Sequence, residues 1–338
     1  MLKKLARQIR QEIKEDYKFI ICILLLFIIF QIPVNYYIVV GGGVSDISSR
    51  VEVEDAYQRK GTFNISYVEE LKGTTLTYLL SYVIPTWERE SANDYKYTES
   101  EKIEDIEFRS DLDLKTVNGT ATYWAYTLAN KDVKETSTKL YVTAVLEEEG
   151  IALKIKDEIL KIDHRFFSTI KEYQEYLQTK EEGEIIEVEI IRNKKERTIK
   201  TKLIKREDTI MLGVGLQYVR EYETNPKVKI KFKSTESGPS GGLITTLEIY
   251  NQLTKKDLTK GKTIAGTGTI EMDGTIGQIG GIEHKLLGAE KAKVKIFLVP
   301  SGQNYKDALQ YKENKNLKIE LIEVETIEDA IRKLEELE

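Results

Sequence analysis

The feature that most restricts this chain is a run of twelve consecutive apolar residues, Phe19 to Phe30, extended by Ile32, Val34 and Tyr36 to Val40. Gln31, Pro33 and Asn35 interrupt the extension. Twenty-two residues at helical rise are enough to cross a hydrocarbon core. The pattern therefore predicts one transmembrane helix over 19–40, with Tyr36 and Tyr37 at the interface. Residues 1–18 carry six basic side chains (Lys3, Lys4, Arg7, Arg10, Lys14, Lys18) against three acidic ones (Glu12, Glu15, Asp16). That bias places the N-terminus in the cytoplasm and everything after a single pass of the plasma membrane outside it. A cleavable signal peptide is the rival reading, with no small-x-small site close behind Phe30 and only Gly41-Gly42-Gly43 as a poor substitute.

Net charge is −5, of which residues 1–18 contribute +3, so the remainder is −8 and argues against a nucleic-acid partner. The only cysteine, Cys22, sits inside the apolar run. Disulfides, cysteine-rich zinc sites and a cysteine nucleophile are excluded, and no metal or cofactor is called for.

Residues 41–125 read as a β-rich extracytoplasmic segment, with strands over 50–53, 61–68, 75–82 and 120–128 and a charged loop or irregular helix over 88–105. No catalytic constellation is visible there. From about residue 126 the pattern changes. A strand containing Leu140, Tyr141 and Val142 precedes the turn and strand of Gly150 to Asp163, then a helix over 168–178 and strands over 185–192 and 197–203. This order over 126–206 resembles a PDZ domain, with Lys156-Asp157 where such domains carry Gly-Asp. The resemblance implies a groove that adds a peptide as an extra strand, and Leu140, Tyr141 and Val142 are its candidate residues.

The last unit, 207–338, alternates strands and helices. Lys227 to Lys233 alternates polar and apolar residues, as a half-buried strand does. Leu243, Leu247, Tyr250 and Leu253 recur at helical spacing, and Thr326 with Asp329 marks the start of a final helix over 327–337. Between strand and helix lies Ser237-Gly238-Pro239-Ser240-Gly241-Gly242. Lys285 follows Ser240 by 45 residues, after Gly280-Gly281-Ile282. A free serine is a weak nucleophile and needs a neighbour to take its proton. The two histidines, His164 and His284, lie in no Ser-His-Asp context, so a Ser-Lys dyad is the natural candidate. Pro239, Gly238 and Gly241 shape the turn, whose helix N-terminus favours the negative charge of an oxyanion. Lys285 needs a pKa lowered from ~10.4 toward ~7–8 to act as a base, through an apolar setting and the helix dipole.

Ser237 to Tyr250, Asp257 to Gly261, Gly266-Thr267-Gly268-Thr269-Ile270, Asp273-Gly274, Gly277 and Gly280-Gly281-Ile282 with Lys285 closely resemble the Lon-type Ser-Lys peptidase domain. With the front segments, the chain resembles the membrane-anchored PDZ-Lon proteases of Gram-positive bacteria, the YlbL/SepM type. That resemblance implies Ser240 as nucleophile, Lys285 as general base and Thr267 as the hydroxyl that orients the lysine amine. Gly241 stands where the family usually has alanine, a lost methyl that is expected to loosen the turn slightly. A phosphate-binding loop needs Gly-x-x-x-x-Gly-Lys-Ser/Thr; Gly261-Lys262-Thr263 imitates its end, but Lys256 occupies the first glycine position. No ATP is expected.

The expected fold class is thus a multidomain α/β (α+β) chain with an N-terminal transmembrane helix, a β-rich segment, a PDZ-like domain and a C-terminal Lon-type proteolytic domain. The expected function is an ATP-independent, membrane-anchored serine endopeptidase cutting exported peptides or flexible protein segments. Its partners are a peptide or protein substrate and the membrane, and a homo-oligomer stays open. The alternatives are a membrane-tethered peptide-binding adaptor with an inactive peptidase unit, and a structural component of a cell-envelope complex.

Overall fold

The computed structural model describes residues 2–233 and 236–337, with side chains from residue 16 onward, so the basic side chains of residues 3–14 lie outside the described part. It divides into two compact units, Met1–Gly41 with Glu69–Tyr95, and Gly42–Val68 with Lys96–Glu338. Two of the three unit boundaries fall inside strands, and the third follows a 3-10 turn.

The first elements in chain order are α1 (Leu2–Phe30), β1 (Pro33–Asp46), β2 (Val51–Val53), β3 (Thr62–Thr74), α2 (Thr75–Leu80) and β4 (Glu88–Ser91), followed by a 3-10 turn at Ala92–Tyr95. In the first unit β1 pairs antiparallel with β4, Tyr36 opposite Ser91 and Val39 opposite Glu88. The Thr74 side chain caps α2 in a reciprocal box with Thr77, so the strand expected over 75–82 is a helix instead.

The transmembrane expectation is overturned. No helix among the described residues is long and apolar enough to cross a membrane. Helix α1 ends at Phe30, and Pro33, which cannot continue a helix, opens β1. Ile38 and Val39, placed by the pattern in the second half of a span, are buried in a strand at 0% and 2% exposure. What remains apolar in α1 is twelve residues, about 18 Å of helix against a core of about 30 Å. The topology inferred from flanking charge rested on that span.

The rest of the chain forms α3 (Ile103–Leu128), β5 (Asp132–Val145), β6 (Glu158–Ile162), α4 (Ile170–Leu177), β7 (Ile185–Arg192), β8 (Lys195–Lys202), β9 (Ile204–Arg206), β10 (Thr209–Met211), β11 (Val214–Asn225) and β12 (Val228–Ile230). Then come α5 (Gly242–Leu253), β13 (Thr263–Gly266), α6 (Ile282–Lys291), β14 (Ile296–Pro300), α7 (Gln303–Lys315), β15 (Glu320–Val324) and α8 (Ile327–Glu336).

In the second unit a parallel sheet runs β15-β14-β13-β3. Alternation along its strands builds two cores. Ile264, Ile296 and Leu298 enter one with Val117, Ala121 and Ala125 of α3, Leu243 and Leu247 of α5, and Ile327 and Leu334 of α8. Ala265, Phe297 and Val299 enter the other with Ile282, Leu286 and Ala289 of α6 and Ala308 of α7. The β-rich reading of 41–125 is therefore corrected. Residues 120–128 have the β-branched and aromatic composition of a strand, yet they lie in α3, where Val117, Ala121 and Ala125 recur every four residues against α5. Ile47, Val51 and Phe63 from the same upstream stretch complete that core.

A five-stranded antiparallel sheet, β11-β5-β6-β7-β8, forms the intervening body with α4 packed on it. Leu140, Val142, Ile159, Tyr173, Val188 and Leu212 fill its core. Asp157, 1% exposed, is held by Arg192 in two bonds of 2.6 Å. Lys156 before it has φ +78, a conformation that glycine adopts without strain.

Candidate active site

Ser240 ends the loop that feeds α5, with Gly241 as N-cap at φ −91. Gly238 has φ +82, and its amide donates to the carbonyl of Ser110 in α3 at 3.0 Å. The Gly242 amide donates to Pro239 O at 3.2 Å and the Leu243 amide to Gly268 O at 3.0 Å. The carbonyl of Ser240 accepts two bonds in turn, from the Gly268 amide at 2.9 Å and from Thr267 Oγ1 at 3.1 Å. Two separate chain segments, 238–243 and 267–268, are thus stitched together around the serine.

Thr267 follows directly on β13. Its amide bonds Leu298 O at 3.1 Å, and the residue is wholly buried. β13 is held from behind by β3: Asn64 Nδ2 donates to Ile264 O at 3.1 Å and Ser66 Oγ to Gly266 O at 3.0 Å. Lys285 sits one turn into α6, with its amide on Gly281 O, and is 3% exposed. Its Nζ donates to Thr267 Oγ1 at 3.1 Å. The structure therefore brings Ser240, Thr267 and Lys285 onto one line of hydrogen bonds, amine to hydroxyl to carbonyl.

Upstream residues support this arrangement, and sequence reasoning assigned them nothing. A Cβ at Gly241 would lie 3.0 Å from Ile65 Cδ1 of β3, and one at Gly242 would lie 2.4 Å from Val117 Cγ2 of α3. A Cβ at Gly42 would lie 2.3 Å from the His284 carbonyl oxygen, so α6 rests directly on the backbone of β1. The Gly41-Gly42-Gly43 run was the available signal. It is the only triple glycine in the chain, and close backbone approach is a standard use of glycine.

Gly238 shapes the turn, and its amide is committed to the Ser110 carbonyl, so it offers no oxyanion donor. One expectation needs correction. Leu140, Tyr141 and Val142 lie on β5, which is paired with β11 on one side and β6 on the other. Leu140 and Val142 point into the core at 4% and 0% exposure. A strand hydrogen-bonded on both edges cannot accept a peptide as a further strand. The edge strands of that sheet are β11 and β8.

Near the turn, burial pushes the Asp113 carboxyl of α3 above its usual range, partly offset by the bond from Gln217 Nε2 at 2.9 Å and by Arg109. Gln217 belongs to β11 and also bonds Thr116 at 3.2 Å. Thr116 Oγ1 donates to Tyr218 O at 3.3 Å, and Gly119 packs on Arg220 O. Helix α3 thus touches both the serine loop and the edge strand of the five-stranded sheet.

With this geometry in view, residues 225–336 match the Lon protease (S16) C-terminal proteolytic domain, and residues 130–203 match the PDZ domain. The Lon protease of Azospirillum brasilense is 33% identical over 97 residues, which is 29% of this chain and 12% of that protein. The Lon protease of Xanthomonas oryzae pv. oryzae is 26% identical over 120 residues, 36% of this chain and 14% of that protein. The chain thus spans only a small part of the length of these relatives. Among solved structures, the PDZ domain of the SdrC-like protein from Listeria monocytogenes is 24% identical, with a TM-score of 0.23, covering 25% of this chain and 92% of that one. The proteolytic-domain match supports a serine peptidase.

Proposed function

We propose that this chain is an ATP-independent serine endopeptidase acting on peptides or flexible protein segments, with Ser240 as nucleophile, Lys285 as general base and Thr267 as the hydroxyl that orients the amine. The observation that carries this reading is the line from Lys285 Nζ through Thr267 Oγ1 to the Ser240 carbonyl. In this reading Ser240 Oγ attacks the scissile carbonyl while the neutral Lys285 amine takes its proton. The same proton passes to the leaving amine as the peptide C–N bond breaks. A water, deprotonated by Lys285, then attacks the acyl ester; the C–Oγ bond breaks, Lys285 returns the proton to Ser240 Oγ, and the acid is released.

The oxyanion falls to the amides of Ser240 and Gly241 at the positive end of α5. Those of Gly238, Gly242 and Leu243 are bonded elsewhere, and Pro239 has none. Independence from ATP is supported by the setting of Gly261-Lys262-Thr263. These residues lead into strand β13, whereas a phosphate-binding loop opens a helix. Just beyond the residues matched to the PDZ domain, peptide addition is assigned to the edge of β11 over 214–216, because α3 binds the Gln217 side chain and covers the carbonyls of Tyr218 and Arg220.

Cleavage of a fluorogenic peptide library by the purified chain, with and without ATP, tests the reading. Wild type should cleave equally in both conditions, and Ser240→Ala and Lys285→Met should be inactive with unchanged circular dichroism. Undiminished turnover by Ser240→Ala would remove the nucleophile assignment, and strong stimulation by ATP would remove the ATP-independence.

A further inference from the structure

The match to the proteolytic domain begins at residue 225, yet the serine turn leans on residues far upstream of it. Gly238 is bonded to Ser110, Gly242 lies against Val117, and Gly241 lies against Ile65. Of these contacts, the one at Gly241 is set by space alone. Its φ of −91 and ψ of −2 suit any L residue, so backbone strain does not demand glycine there. A side-chain methyl would instead meet Ile65, with Cδ1 at 3.0 Å and Cγ1 and Cγ2 at 3.6 Å. The backbone of Ile65 is held in turn, since its strand is in register with β13, Ile65 opposite Gly266, one residue before Thr267. Ile65 thus touches the residue after the nucleophile from a strand that also backs the lysine's hydroxyl partner.

We propose that Ile65 is a positioning residue of the proteolytic site, its δ-methyl filling the volume that Gly241 leaves empty and so fixing the Ser240 turn. The inference rests on Ser240 being the nucleophile. Its test is a methyl exchange. Gly241→Ala should lower kcat by about tenfold or more with little change in KM, because small displacements of a reacting group carry large rate penalties. Ile65→Val removes only Cδ1, the atom at closest approach. Combined with Gly241→Ala it should restore kcat to within about threefold of wild type, and the covalent labelling rate of Ser240 by a fluorophosphonate should follow the same pattern. Thermal unfolding of all four proteins is measured alongside.

Wild-type kcat in Gly241→Ala, or a double variant whose loss is the product of the single losses, would overturn the proposal. If wild type neither cleaves nor labels, the peptidase reading fails and the assignment of Ile65 falls with it. Non-additive unfolding temperatures would then still report the Ile65–Gly241 contact as packing alone, so the two failures are distinguishable.

Discussion

Lys285 Nζ donates to Thr267 Oγ1 at 3.1 Å from a side chain that is 3% exposed, and the same hydroxyl donates to the carbonyl of Ser240. A hydroxyl that accepts from one partner and donates to the other has a fixed hydrogen direction, so Thr267 couples the lysine to the serine backbone. Thr267→Val keeps the shape and removes both bonds. It should reduce kcat/KM for a model peptide by at least about tenfold and cost about 1–3 kcal/mol of stability, whereas Thr267→Ser should retain most of both. Equal activity in the valine and serine variants would separate Thr267 from the mechanism.

Gly42 supports the helix that carries Lys285. A methyl there would sit 2.3 Å from the His284 carbonyl oxygen, an atom of helix backbone that can move only if α6 moves. Gly42→Ala should therefore cost about 1–3 kcal/mol in urea unfolding and lower peptide cleavage more than Gly280→Ala, at which nothing lies within 4 Å.

The five-stranded body has its own ion pair, a buried Asp157 with a partly exposed Arg192. Asp157 is 1% exposed and accepts from Arg192 twice at 2.6 Å and from the Lys154 amide at 2.8 Å. Asp157→Ala leaves the guanidinium with only the Ala152 carbonyl and frees that amide, and should destabilise the chain by about 2–3 kcal/mol in urea titration. Asp157→Asn keeps part of the bonding and should cost less.

Glu248, buried in α5 behind the serine turn, carries a pH signature. Burial pushes its carboxyl above the usual range, offset by the bond from Gln252 Nε2 and by Arg59, while Asp46 and Asp257 push the same way as burial. A raised folded-state value means that folding binds a proton. Its contribution is complete below the unfolded value of about 4.3 and declines as pH rises through the folded value. Glu248→Gln should abolish that decline, so its stability relative to wild type should grow with pH across the window. Parallel unfolding curves at every pH would contradict this.

Short-range features of the chain are legible in its amino-acid order. Strand 185–192 and the helix starting after Thr326 follow from short-range periodicity and capping, which act within a few residues. The polar helix Gln303–Lys315, with Asn304 and Ala308 as its buried positions, carries no such pattern. Ser240 and Lys285 stand out in the sequence through the glycines and proline around them, whereas Thr267 is singled out only by the resemblance to the Lon-type peptidase domain. The amino-acid order could not show that β3 lies beside β13 about 200 residues later, that α3 is a helix despite its strand-like composition, or that β5 is interior while β11 takes the edge. Nor could it end the apolar run at Phe30, since Val34 to Val40 suit a spanning helix and a buried strand equally until partners are present. Those choices depend on which surfaces exclude water together, and burial is a property of the assembled neighbours rather than of any segment alone.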